Sequence, residues 1–208
     1  MTAGRAIRLG VLLSGGGRTL QNFCDEIAAD RLKASVAMVL SSRGDAYGLT
    51  RAADLGLSAR VIERRHVGEE AFDAAITEAL QGADVDLVCM AGFLSLWTIP
   101  AAYQGRVMNI HPALLPDFGG QGYYGHRVHE AVLAAGHRES GCTVHFCDNL
   151  YDHGPIILQR RVPVLEDDTA DTLAARVFEQ ECIAYPEAIR LYAAGRLRIE
   201  GGRVIVLK

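Results

Sequence analysis

Residues 7 to 14, Ile-Arg-Leu-Gly-Val-Leu-Leu-Ser, are a near-continuous apolar run. A strand of this kind is covered on both faces, as in the interior of a parallel sheet. Glycines follow at 15 to 17, and then Leu20 to Ala29 carries apolar residues at helical spacing. The pattern then recurs. Val36 to Leu40 reads as a second strand, ended by Ser41-Ser42-Arg43-Gly44-Asp45, and Tyr47 to Leu55 as a helix closed by Gly56. Ala59 to Ile62 is a short strand, Glu69 to Leu80 an amphipathic helix with Gly82 as its stop, and Val85 to Met90 a buried strand. Strand and helix thus alternate three times before residue 91. That order predicts a parallel sheet with right-handed crossovers.

The rhythm changes in the second half. Val107 to His111 is a strand, and Phe118 to Gly125, rich in Gly and Tyr, reads as a mobile loop. His126 to Ala135 is a helix. Cys142 to Phe146 and Pro155 to Val162 are strands joined by a polar turn, hence antiparallel. Thr169 to Ala194 is a long helix with a bend expected near Pro186. Arg196 to Glu200 and Arg203 to Leu207 form a hairpin around Gly201-Gly202. The expectation is one α/β domain over 1–208, with a mostly parallel mixed sheet flanked by helices.

Within the second half, Asn109 and His111 stand one residue apart at the end of a predicted strand. Alternate strand residues share a face, so the carboxamide and the imidazole point the same way. Pro112 biases His111 away from helix and ends the ladder. The pair suits chemistry in which a carbonyl gains negative charge while an amine loses a proton.

The chain's 208 residues, half of them hydrophobic, suffice for a real core. A net charge of -4 gives no electrostatic reason to expect nucleic acid or an anionic membrane as partner. Any anionic ligand must be held locally. The five cysteines, at 24, 89, 142, 147 and 182, are scattered and form no CxxC pair, which predicts a reducing cytoplasm. No long apolar run opens the chain, and the most apolar stretch, Leu87 to Trp97, is too short to span a bilayer.

A local anion site is offered by Ser14-Gly15-Gly16-Gly17-Arg18-Thr19, between the first strand and the first helix. Glycines let a backbone approach a phosphate, and N–H groups at a helix start bind anions. The same glycines also serve a simple tight turn. The third glycine of a dinucleotide fingerprint is replaced by Leu20, no acid ends the second strand, and the P-loop lysine is missing. In the segment Asp148 to Pro155 a carboxylate could orient His111 and favour its charged form; equally, these acids could be ordinary turn formers. His126 and His129, three apart, read as a solvated helix face rather than a metal pair, for want of a third ligand. His145, beside Val144 and Phe146, reads as a packed, hydrogen-bonded histidine. Ser14 and Ser95 lack the elbow of a serine hydrolase. Glu179-Gln180-Glu181 lies on the long helix, where most charges are merely solvated.

Together these pieces resemble the glycinamide ribonucleotide formyltransferases of the folate-dependent formyltransferase superfamily. The markers are Ser14-Gly15-x-Gly17, Ala91-Gly92-Phe93, Asn109-Ile110-His111-Pro112 with Leu114-Leu115-Pro116, Gly141 to Phe146, Asp152-x-Gly154-Pro155-Ile156-Ile157, and Gln180-Glu181 with Tyr185-Pro186. They fall in order, and the resemblance covers nearly the whole chain, from Leu9 to about Leu197. The resemblance implies a Rossmann-like formyltransferase fold with a C-terminal long helix and hairpin, its 1–105 half binding nucleotide and phosphate and its 106–208 half catalytic and folate-binding. It implies 10-formyltetrahydrofolate as co-substrate, no metal and no NAD(P), and an amine acceptor, 5-phosphoribosylglycinamide. Relatives of other function carry a further domain, for which 208 residues leave no room.

The roles it implies are these. Asn109 would donate to the developing oxyanion, worth about 3 kcal/mol in comparable sites. His111 would be the general acid/base, and Asp152 would tune it. Gly16, Gly17, Arg18 and Thr19 would hold the phosphate, with Gln180 and Glu181 on the ribose or glycinamide. The folate would lie against Leu94, Ser95, Leu96 and Trp97, Asn109, and Asp148, Asn149, Leu150, Tyr151 and Asp152. Arg18-Thr19 stands where relatives commonly have Ser-Asn, and Glu69 or Glu70 where an arginine often reaches the folate. The expected partners are small-molecule substrates, with neither nucleic acid nor membrane, and the assembly is a monomer or homodimer. Competing readings are another formyltransferase, a formyl-folate hydrolase, or an NADP-binding oxidoreductase with Ser41-Ser42-Arg43 at a 2′-phosphate. The last leaves Asn109 and His111 unexplained.

Overall fold

The apolar run beginning at Ile7 forms a strand with six of its seven residues buried, and the parallel pairings it makes set the architecture. The structure, a computed structural model, describes residues 5–207. In chain order the elements are β1 (Ile7–Leu13), α1 (Arg18–Ala28), β2 (Ala34–Ser41), α2 (Tyr47–Asp54), β3 (Ala59–Val61), α3 (Arg64–Val67), α4 (Glu69–Gly82), β4 (Leu87–Met90), β5 (Val107–His111), α5 (His126–Ala134), β6 (Glu139–Phe146), β7 (Ile156–Pro163), α6 (Ala170–Ala193), β8 (Leu197–Glu200) and β9 (Arg203–Val206). A short 3-10 turn, Ala101–Tyr103, precedes β5. Strands β1 to β7 form one mixed sheet in the order β3-β2-β1-β4-β5-β6-β7, and β8 and β9 form a hairpin. The chain divides into two compact units, 1–108 and 109–208.

In the first unit β1 pairs in parallel with β2 and with β4, and β2 with β3. The order 3-2-1-4 therefore reverses direction between β1 and β4. In an open parallel sheet such a switch point leaves a crevice beyond the carboxyl ends of the two strands, where ligands bind. Ser14 follows β1 there, and Ala91-Gly92 follows β4. Leu9, Val11, Leu12, Leu13, Leu20, Phe23, Phe72, Ile76 and Leu80 are buried around this sheet. Burying each such side chain contributes about 1.5–3 kcal/mol.

In the second unit β6 pairs antiparallel with β7, as the polar turn predicts, and α6 packs against both strands. Leu173, Val177, Tyr185 and Ile189 supply its buried stripe, and Pro186 lies inside the helix. Thr169 caps α6 through a reciprocal box with Thr172. Gly201 and Gly202, with φ of 55° and 76°, supply the two left-handed positions of a tight hairpin turn.

Two elements differ from expectation. Helix α3 was not anticipated, because four residues carry too little periodicity to register. Helix α4 does end at Gly82, and the chain turns at Asp84, whose φ is 46°. Aspartate tolerates that backbone better than most residues. Strand β6 begins at Glu139, since Glu139, Ser140 and Gly141 pair with Pro163, Val162 and Arg161 despite their weak strand propensity.

Candidate active site

Strand β5 presents Asn109 and His111 on one face, as the alternation predicts. His111 is buried and Asn109 half-buried. The buried hydroxyl of Thr143 on β6 fixes the chain that follows. It donates to Ala113 O (2.7 Å) and accepts from Leu115 N–H (3.0 Å) and Gln159 Nε2 (2.9 Å). Gln159 also reaches Leu115 O at 2.9 Å. Every valence of that hydroxyl is used, so the turn after His111 has little freedom.

Asp152 arrives on the loop between β6 and β7. Asp148 fastens this loop, accepting from Leu150 N–H and pairing with His153. Gly154 lets it close: a Cβ there would lie 1.9 Å from Phe146 O. Asp152 itself has a left-handed backbone, φ 52°, and its side chain is 11% exposed. Strain of this sort persists where the surroundings enforce it, often at functional sites.

These residues close a polar cluster. Asp152 Oδ2 accepts from Gly120 N–H at 3.0 Å and lies 3.5 Å from His111 Nδ1. His111 Nε2 donates to Phe118 O at 2.7 Å. With a carbonyl at one nitrogen and a carboxylate at the other, the ring's surroundings suit its doubly protonated form. Burial acts the other way and is the larger effect, holding the imidazole below its ordinary pKa against the upward pull of Asp152 and Phe118 O. For Asp152 burial alone would raise the pKa. The adjoining His145 ring, the charge of His111 and the Gly120 N–H outweigh it, and the carboxyl sits below its usual range.

His145 completes the cluster. Its Nδ1 donates to Phe146 O at 2.8 Å, which leaves Nε2 as an acceptor when the ring is neutral. Asn109 Nδ2 donates there at 3.2 Å and to Asp152 Oδ1 at 3.3 Å. Both carboxamide protons are thus directed into the cluster. Sequence reasoning treated His145 as a packed histidine only. The available signal was the alternation: Thr143-x-His145 in a buried strand repeats the polar-x-polar spacing of Asn109-x-His111.

In the first unit, Ser14 joins two of the predicted binding segments. Its N–H donates to Gly92 O (3.0 Å), and its hydroxyl accepts from Leu94 N–H (2.9 Å) while sharing a 2.6 Å bond with Ser42. The glycine loop and the 92–97 segment are thereby fastened together at the switch point. Gly17, φ 70°, is the N-cap of α1. A Cβ on it would lie 2.6 Å from the Cα of Gly48, so α2 and the loop approach more closely than any other residue permits. Gly16 and Arg18 are exposed and Thr19 half-buried. Leu94 is 45% exposed, Ser95 and Leu96 are half-buried, and Trp97 turns into the core, edge-on to Tyr103.

Gln180 and Glu181 are half-buried on α6. Burial, followed by the Glu181 carboxylate, pushes the Cys142 thiol up to about 12. Leu150 and Tyr151 are exposed at the rim of the Asp152 loop, where Asn149 also lies at the surface and Asp148 is half-buried. The reading of His126 and His129 as a solvated face is corrected. His126 is exposed and pairs with Asp171 at 2.7 Å, but His129 is 4% exposed. Burial first, then neighbouring His126 and His111, lowers His129 to about 4. The error has a physical origin: α5 rotates position 129 onto the same buried stripe as Val128 and Val132. Among the described residues no cluster of three or more His, Cys, Asp or Glu has metal-binding geometry, and no helix is long and apolar enough to cross a membrane.

An α/β sheet with a switch-point crevice and a buried Asn-His-Asp cluster defines a class of group-transfer fold, and comparison with known proteins gives the family. The model of the family described as Formyl transferase matches residues 7–189, and the chain belongs to that family. A crystal structure of glycinamide ribonucleotide transformylase 1 from Symbiobacterium toebii superposes with a TM-score of 0.92 at 47% identity, covering 99% of this chain and 96% of that one. Phosphoribosylglycinamide formyltransferase of Haemophilus influenzae is 36% identical over 196 residues, 93% of this chain and 90% of that protein. The trifunctional purine biosynthetic protein adenosine-3 of Drosophila melanogaster is 40% identical over 200 residues, and this chain spans 14% of its length.

Proposed function

We propose that the chain transfers the formyl group of 10-formyltetrahydrofolate to the amine of 5-phosphoribosylglycinamide, releasing N-formyl-glycinamide ribonucleotide and tetrahydrofolate. The observation that carries this reading is the cluster itself: Asn109 and His111 side by side, with the Asp152 carboxylate within 3.5 Å of His111 and 3.3 Å of Asn109. The names of the two bacterial relatives, each matched over nine-tenths of its length or more, supply the acceptor.

In the proposed course the amine attacks the formyl carbon, and the carbonyl oxygen becomes an oxyanion. Asn109 turns one Nδ2–H from Asp152 to that oxygen and keeps the other on His145. His111, whose charged form Asp152 favours against the larger opposing effect of burial, supplies a second donor as its Nε2–H leaves Phe118 O. The amine proton departs through water, the C–N10 bond breaks, and N10 takes up a proton. Preorganised donors of this type contribute about 3–4 kcal/mol each to lowering the barrier. The glycine loop with Arg18 and Thr19 takes the phosphate at the switch point. Gln180 and Glu181 take the ribose or glycinamide. The folate lies along Leu94 to Trp97 and along Asp148 to Asp152, where Leu150 and Tyr151 offer apolar surface. A single formyltransferase domain, a cytoplasmic setting and a monomer or homodimer belong to the same reading; the five free thiols support the compartment.

The test is deformylation of 10-formyl-5,8-dideazafolate followed by absorbance, with and without the acceptor. Turnover that requires glycinamide ribonucleotide is expected. Release of formate at the same rate without an amine would replace the reading with a hydrolase.

A further inference from the structure

Helix α2 turns one face to the glycine loop. Gly48 N–H donates to Gly15 O at 2.9 Å, and one turn on, Arg51 Nε donates to Gly16 O at 2.9 Å. The Arg51 stem runs over the loop, its Cδ 3.5 Å from where a Cβ on Gly17 would be. Tyr47, four residues before Arg51 on the same helix face, lies beneath the guanidinium, 5.1 Å from ring centroid to Cζ. One nitrogen thus holds the residue before the N-cap of α1, and the ring fixes the plane of the group.

The remainder of that guanidinium has no carboxylate. Arg31, Arg43, Arg65 and Arg161 each pair with a glutamate or aspartate, whereas no ion pair among the described residues includes Arg51. Arg8 and Arg106 also lack carboxylates, but Arg8 spends two nitrogens and Arg106 all three on backbone carbonyls. Arg51 is half-buried and spends only Nε this way. Its Nη1 and Nη2 form a fork suited to two oxygens of one tetrahedral anion. Arg18, by contrast, is exposed, and a contact from it is screened by solvent.

We infer that Arg51 is a phosphate-binding residue, gripping the acceptor's phosphate monoester from α2 while the loop backbone grips it from α1. This rests on the function proposed above. It also assigns Tyr47 a use: a ring that holds a cation's plane before the anion arrives reduces the ordering cost of binding.

The test compares two acceptors, glycinamide ribonucleotide and the ribonucleoside lacking its phosphate, at saturating formyl-folate. Arg51→Met keeps the stem over Gly17 and removes the charge. It should lower kcat/KM for the ribonucleotide about tenfold or more, the size of a lost charge-assisted contact, and leave the ribonucleoside unchanged. Arg51→Lys, which retains charge without the fork, should fall between, again with the ribonucleotide only; it carries the comparison if the methionine variant does not fold. Equal losses with both acceptors would make Arg51 a brace of the loop and overturn the inference, as would an unaffected ribonucleotide. Wild-type protein using both acceptors equally would overturn the inference and leave formyl transfer standing. Wild-type protein formylating neither would overturn the proposed function itself.

Discussion

His145 Nε2 accepts a hydrogen bond from Asn109 Nδ2 across 3.2 Å, and His145 is itself oriented by Nδ1 donating to Phe146 O. The carboxamide is therefore aimed by a histidine that need not touch substrate. Replacing His145 with Phe keeps a flat ring but removes the acceptor. An unmatched buried N–H costs about 1–3 kcal/mol, so Asn109 should reorient and kcat should fall about tenfold or more. A kcat within twofold of wild type, with folding intact by circular dichroism, would show that Asn109 is held by Asp152 alone.

Asp152→Asn keeps size and removes charge. Asp152 raises the His111 pKa against the downward effect of burial, so without it the imidazole pKa falls further. The charged form is lost as pH rises through that pKa. The alkaline limb of kcat should therefore move to lower pH, with a loss of about 10²–10⁴-fold on the plateau and modest change in either KM. The measurement is a pH–rate profile beside that of His111→Asn, because groups acting as a unit are not additive. An unmoved limb with full kcat would leave Asp152 a turn residue.

The sequence allowed the parallel half of the fold to be read because its signals are local. A buried strand such as Ile7–Leu13 declares itself by composition, and Gly17 by its place between strand and helix. Asn109 and His111 were legible for the same reason: two residues on one strand need only period-two geometry. What was not legible depends on partners far along the chain. Asp152 was named through the family resemblance and not by spacing: it is 43 residues from Asn109, and its hydrogen bond there follows from the β6–β7 turn and the close approach at Gly154. His145 and Thr143 look like core filling until β6 is set beside the chain that leaves β5. His129 went wrong because helical spacing fixes which residues share a face, while tertiary packing decides which face is covered.

Thr143→Val tests how far the turn after His111 depends on one hydroxyl. Valine matches threonine in shape, but Ala113 O loses its donor and Leu115 N–H its acceptor, both in a buried setting. Destabilisation of about 1–3 kcal/mol is expected, measured as a lower denaturant midpoint at unchanged slope. Because the turn positions His111, kcat should fall as well. An unshifted midpoint would mean that the turn is held by Gln159 and packing alone.

Asp168 makes stability itself depend on pH. Its side chain is 2% exposed and accepts from Arg176 through both terminal nitrogens (2.6 and 2.8 Å), from Leu165 N–H and from Thr172 Oγ1, at the start of α6. The Arg176 bonds above all, with the other donors, hold the carboxyl well below the usual range. Its folded pKa is below its unfolded value of about 4. The contribution is therefore complete above that unfolded value and is lost as pH falls toward the folded one. Asp168→Asn should lower stability by about 2 kcal/mol at neutral pH, since hydrogen bonds to a charged group are worth about 1.5–3 kcal/mol. As pH drops below about 4 the gap between variant and wild type should narrow, because protonation removes from wild type what the substitution has already removed. Urea midpoints measured across that range provide the check. Parallel curves for the two proteins would show that Asp168 keeps no special pKa, and that α6 is started by Thr169 and Thr172 without it.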